Sequence, residues 1–236
     1  TPLMYLLAGD GSAADWWEDA LPHFQRYQVL PLELPGFGDN PQAPCEDLAD
    51  YARALLAMTV EGSAIMAVGV NALLVLHALQ RKPGHFCRSV LLAPVGAFLW
   101  QRRLPALMSP LPIRKTIHWL LSNKPAVFAR KFSNQTWTPA QYQRMGAGYA
   151  RCRAFVPHWD MVRADTALPL LEWISDPVEL VWGDQDNVLG IAQAAAWSAI
   201  LARADLTISL QTGWGHYPWI DAPADFAAWL ESGERG

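Results

Sequence analysis

Short apolar runs recur along this chain with longer helix-like stretches between them. Runs near residues 4–8, 28–32, 64–70, 89–93, 178–183 and 206–210 have strand length and bulky apolar content. Their alternation with helical patterns predicts six strands, paired in parallel and joined by right-handed crossovers. Ala64-Ile65-Met66-Ala67-Val68 has no polar alternation, as expected of a strand buried on both faces. The segment from Asn71 to Leu79 reads as a helix packed on that strand, so the few residues between them must form a sharp turn.

From Ala97 to about Pro169 the alternation stops. This interval reads as helices broken at Pro105, Pro110, Pro112, Pro125, Pro139 and Pro157. The strand-bearing parts, residues 1–96 and 170–236, then form one α/β core, with 97–169 inserted into the same folding unit. A chain of 236 residues with 52% hydrophobic content can bury a core of that size.

Five short motifs follow one another in order. Tyr5-Leu6-Leu7-Ala8-Gly9-Asp10-Gly11-Ser12 is a strand entering a glycine-rich turn, with Trp16 after it. Leu34-Pro35-Gly36-Phe37-Gly38 closes a second strand. Gly69-Val70-Asn71-Ala72-Leu73 lies at the strand-to-helix turn. Val178 to Asp186 ends in G-x-x-D, and Gly213-Trp214-Gly215-His216 follows the last strand. This series closely resembles the α/β-hydrolase fold family over almost the whole chain. The resemblance implies a mostly parallel six-stranded sheet flanked by helices, with 97–169 as a helical cap. The antiparallel strands that precede the first strand in that family are expected to be absent or very short. The lack of an initiator Met leaves room for native sequence before Thr1.

In the resembled family the centre of G-x-S-x-G carries the nucleophile on a strained turn. Aligned on Gly69, the centre here is Asn71, and Leu73 replaces the final glycine. A neutral carboxamide is no substitute for a hydroxyl activated by histidine. Ser63 and Ser12 are the nearest hydroxyls in sequence, but one precedes the strand and the other belongs to the glycine-rich turn. Asp186 and His216 match the family's acid and base positions, with Asp184 as the weaker alternative acid. The resemblance further implies oxyanion donors at the backbone N–H groups of Asp10 and Ala72. A carboxylate at Asp10 would oppose an oxyanion if it faced inward; facing solvent, it would only cap the turn. Gly9, Trp119 and Trp214 are the pocket residues expected on this reading.

Two function classes follow. One is a hydrolase or lyase in which His216 and Asp186 activate water or a carbon acid, Asn71 orients the carbonyl, and the substrate is a small hydrophobic ester or carbonyl compound. The other is a pseudoenzyme that keeps the pocket and binds a ligand or partner. Deamidation of Asn71, or an engineered Asp-to-Asn change, is a minority third reading.

Charge and composition add to this picture. The interval 97–169 carries eleven Lys and Arg against Asp160 and Asp165, a balance of +9 within a chain whose net charge is −4. The plain reading is a solvated helical surface whose arginines pair with core acids. The functional one is attraction of an anionic ligand or weak contact with an acidic membrane face through Ile113 to Leu121. Twelve tryptophans include Trp100, Trp119, Trp137, Trp159 and Trp173 in or beside the interval; most are expected in packing and one or two against a ligand. Cys45, Cys87 and Cys152 are too few and too scattered for a disulfide framework, and Cys87 reads as a small buried hydrophobe. Neither metal-ligand spacing nor a phosphate-binding glycine loop occurs, so no cofactor is expected. No nucleic acid partner, no transmembrane segment and a cytoplasmic setting complete the expectations. His23, His77, His85, His118 and His158 read as surface or structural residues.

Overall fold

The protein is described by a computed structural model covering residues 1–97, 107–133, 135–164 and 168–233. Trp100, Arg102, Arg103, Pro105 and Asp165 lie outside the described residues.

Among the described residues, six parallel strands form one sheet in the order β2-β1-β3-β4-β5-β6. They are β1 Leu3–Leu7, β2 Gln28–Pro31, β3 Ser63–Val68, β4 Phe86–Leu92, β5 Pro177–Gly183 and β6 Asp205–Gln211. Every residue of β3 is buried, as its unbroken apolar run requires. The edge strands β2 and β6 carry exposed positions at intervals, which fits sheet ends with one side open to water.

Helices cover both faces. Helix α1 (Leu48–Met58) starts at Asp47, whose carboxylate accepts the Asp50 N–H at 2.7 Å. Helix α2 (Val70–Arg81) follows β3 and is buried from Val70 to Leu79, so it lies within the core. After β4 come α3 Leu111–Asn123, α4 Pro125–Phe132, α5 Pro139–Arg151 and α6 Phe155–Ala164. Helix α5 opens on a capping box in which Thr138 and Gln141 satisfy each other's backbone N–H, with Pro139 in the first turn. Beyond β5, α7 (Ala194–Ile200) precedes β6, and α8 (Pro218–Asp221) and α9 (Pro223–Ser232) close the fold.

The inserted helices are tied to the core by charge. Arg144 pairs with Glu18 at 2.7 Å and with Asp19 at 2.5 Å, and Arg151 pairs with Asp15 at 2.8 Å. Arg153 donates to the carbonyls of Asn40 and Gln42. Within the insertion, Arg114 is buried and pairs with Asp160. Much of the positive charge read from the sequence therefore meets an acid or a carbonyl.

The sheet register sets the place of the site. Leu7 of β1 stands beside Ala67 of β3, and Val68 beside Leu92 of β4. The chain leaves β1 toward β2 on one side and builds β3 to β6 on the other, so the strand order reverses between β1 and β3. Ligands of open α/β sheets bind outside the strand ends at such a reversal. One expectation fails here: Cys87, near the start of β4, is exposed while its neighbour Phe86 is buried, because successive strand side chains point to opposite faces.

Candidate active site

Strand β3 ends at Val68 and α2 begins at Val70, leaving Gly69 alone to make the turn with φ 59° and ψ −119°. Side-chain-bearing residues rarely adopt that backbone. The apex of the elbow is therefore Gly69, two residues before the Asn71 expected there. The apolar Val70 reads equally well as continuing strand, but the only residue of the turn able to take the positive φ without strain is the glycine in front of it. A hydrogen cannot attack a substrate, so the apex has no nucleophile, for a different reason from the one the sequence pattern implies.

Asn71 lies in the first turn of α2 and is buried. Its Nδ2 donates to the Ala8 carbonyl at 2.5 Å, tying the end of β1 to the start of α2, and its Oδ1 has no partner among the described residues. It faces a small hollow with Ser12, Leu34 and Phe37, not the main cavity. Ala72 likewise does not line the cavity, whereas Val70, the residue after the apex, does. Ser12 donates to the Gly9 carbonyl, and Ser63 to the Val60 carbonyl at 2.6 Å, so both hydroxyls are spent on their own turns.

Asp186 and His216 are brought together across the loops after β5 and β6. One Asp186 oxygen accepts the N–H groups of Val188 at 2.7 Å and Leu189 at 2.8 Å; the other lies 2.8 Å from His216 Nδ1. Burial alone would push this carboxyl up, but the His216 charge and hydrogen bond with the two backbone donors hold it below the usual carboxylate range. The acid is thus ionised and fixes Nδ1 as the engaged nitrogen, leaving Nε2 free for proton transfer. The backbone N–H of His216 donates to the Phe132 carbonyl at 3.0 Å, so the end of α4 holds the histidine loop. Asp184 is exposed and accepts the Gly213 N–H, which removes it from the site.

His216, Gly69 and Gly9 open onto one cavity of about 80 Å³. A single water needs about 10–15 Å³ on this scale, so several water-sized groups fit. The remaining wall is apolar and aromatic, with Trp16, Phe132, Tyr149, Phe155 and Trp159 prominent. Trp119 is 57% exposed and absent from the wall. Trp214 packs instead on Phe226 and Trp229, against the C-terminal helix. Those two pocket expectations fail because tryptophan is large enough to serve packing or remain half in water, which no single-sequence pattern separates from ligand contact.

Asp10 faces inward. Its side chain is 8% exposed, and one oxygen lies 3.2 Å from Nδ1 of His158 on α6. Burial raises this carboxyl above the ordinary range, against the opposing hydrogen bond and charge of His158 and the nearby indole N–H of Trp159. His158 is fully buried between Phe37 and Tyr51. No local pattern signals this pair, since its members are 148 residues apart. Glu33, another acid near the pocket in sequence, accepts the N–H groups of Ala14 and Asp39 at 2.7 Å each and serves loop structure.

Strand order, glycine apex and buried acid–histidine pair together define an α/β scaffold of hydrolase type. A family model described as the alpha/beta hydrolase family matches residues 4–229, and the chain belongs to that family. Among solved structures, a bacterial membrane phospholipase A superposes with a TM-score of 0.76 at 22% identity, over 98% of this chain and 78% of that one. A single-substitution variant of the N-formylmaleamic acid deformylase from Pseudomonas putida gives 0.76 at 18%, over 96% and 91%. Naproxen esterase from Bacillus subtilis gives 0.72 at 16%, over 98% and 83%. A comparison with curated proteins found no match. At these identities the solved structures attest the fold alone.

Proposed function

We propose that this protein hydrolyses a small, largely apolar ester or related carbonyl compound without a covalent intermediate, using His216 as general base and Asp186 to orient and charge-balance it. The observation that carries the reading is the position of the buried dyad, 2.8 Å between its members, at a cavity whose floor is a glycine. A Cβ built on Gly69 would meet only Leu189 Cδ1, at 3.8 Å, so the place a serine would fill is open to water or substrate.

His216 Nε2 takes a proton from a water above Gly69 as that water attacks the carbonyl carbon. The imidazolium, stabilised by Asp186, then returns the proton to the leaving group. The Val70 N–H heads α2 and lacks an intrahelical acceptor, and the Asp10 N–H lies in the opposite turn; these are the oxyanion donors of this reading. General-base catalysis supplies about 10²–10⁴-fold, so turnover is expected to be slow beside enzymes that also form an acyl-enzyme.

The test is hydrolysis of a panel of p-nitrophenyl esters by wild type, His216→Ala and Asp186→Asn. Expected are steady turnover without a burst, a fall of at least tenfold in each variant, and no labelling of wild type by a fluorophosphonate. Turnover unchanged in His216→Ala, or a trapped acyl or phosphonyl adduct, refutes the mechanism. Absence of turnover on every ester assigns the cavity to binding alone.

A further inference from the structure

We infer that the outer face of the inserted helices docks on an anionic lipid surface. Four of the ten large apolar side chains exposed among the described residues fall between 107 and 127: Leu107, Leu111, Trp119 and Val127. Such residues scattered singly need no account, but a run of them on one short segment does. On α3, Leu111, Lys115 and Trp119 recur at four-residue spacing and so share one face, while Arg114, Ile117 and Leu121 form the buried one. Trp119 and Val127 are 57% and 60% exposed, so more than half of each stands in water.

Charge names the occupant. Lys115 and Lys124 are exposed and stand on either side of Trp119 along the same segment. The chain has no Asp or Glu between Glu61 and Asp160, although its net charge is −4. Asp160 of α6, which reaches α3, is taken up by Arg114 at 2.8 Å and Arg163 at 3.6 Å. Acids therefore concentrate on the rest of the chain, and a negative surface attracts the inserted face while repelling the others. An indole at the water boundary, with lysines whose stems lie along apolar surface, suits the level between headgroups and acyl chains. Helix α3 has 13 residues and is about 20 Å long, too short to cross a bilayer core of about 30 Å, so it lies along the surface.

The buried face of the same helix turns Ile117 and Leu121 to the cavity, where Phe128 of α4 joins them. Docking therefore sets the cavity one helix thickness from the lipid. For the hydrolysis proposed above, on which this step alone rests, that placement points to an ester that partitions into membranes.

The test is co-sedimentation of the full chain with vesicles of phosphatidylcholine alone and of equal parts phosphatidylcholine and phosphatidylglycerol. Binding at low salt should favour the anionic vesicles by about tenfold or more and weaken as salt screens it. Each lysine near an anionic surface is worth about fivefold, so Lys115→Gln and Lys124→Gln together should cut binding by about tenfold or more. Trp119→Ser should weaken it by about threefold or more. The emission of wild type minus that of Trp119→Phe should shift to the blue with anionic vesicles. All three side chains are exposed, so the variants should melt with the wild type. Equal binding to the two vesicles, no binding to either, or binding unchanged in the lysine pair or in Trp119→Ser overturns the inference. A dimer that Trp119→Ser dissolves, with no vesicle binding, assigns the face to a second copy and overturns it too. Vesicle binding without ester turnover would sink the proposed hydrolysis only; His216-dependent turnover without vesicle binding would sink this inference only.

Discussion

Replacing Gly69 by Ser should convert the apex into a nucleophile, and its consequences can be worked out beforehand. The added Cβ meets only Leu189 Cδ1, at 3.8 Å, so no overpacking is expected. The cost is conformational: a side chain at φ 59° carries strain of about 1–3 kcal/mol. Loss of glycine's freedom in the unfolded chain returns roughly 0.4–1 kcal/mol, leaving a net destabilisation of about 0–2.6 kcal/mol. For a chain of this size each kcal/mol lowers Tm by about 2–4 °C, so the variant should melt no more than about 10 °C below wild type. With His216 and Asp186 in place, the new hydroxyl should react with p-nitrophenyl acetate in a stoichiometric burst and take up one fluorophosphonate per chain. Asn71→Ser, whose side chain faces the separate hollow, should do neither. A folded Gly69→Ser with no burst and no label, or a reactive Asn71→Ser, would show that Gly69 is not the apex of the site.

Three further outcomes concern stability. Asp186, held below the ordinary carboxylate range, stabilises the fold above a pH of about 4 and ceases to as pH falls through its lowered value. Asp10 has the opposite sign: its raised value means the fold is penalised at high pH and relieved as pH falls toward about 4. Asp10→Asn should therefore raise Tm at pH 8 and lose that advantage in acid; a difference independent of pH would refute the assignment. Gly183→Ala should be among the most damaging single-methyl additions, because the new Cβ would lie 2.1 Å from the Trp214 backbone oxygen. Overpacking of this kind costs about 1–3 kcal/mol, and a chemical-denaturation midpoint equal to wild type would contradict the close approach.

The periodicity of apolar runs carried the sheet. All six strands lie within a few residues of where alternation puts them, because strand length and burial are written locally in side-chain size and branching. The family assignment was equally accessible, since turn glycines after β1, β3 and β5 recur in a fixed order. The elbow was misplaced by two residues because Val70 is apolar whether it ends a strand or starts a buried helix. Only the backbone angle at Gly69 separates the two.

The residues themselves determined an α/β hydrolase scaffold, an acid and a histidine in the right order, and a chain without a serine at the critical turn. Tertiary structure decided what occupies that turn, that Asn71 braces β1 instead of facing substrate, and that Asp10 turns inward to a histidine on an inserted helix. The physical reason is separation along the chain. Propensity and periodicity act over a few residues, whereas the Asp10–His158 pair, 148 residues apart, exists only once the inserted helices pack over the sheet and close the cavity.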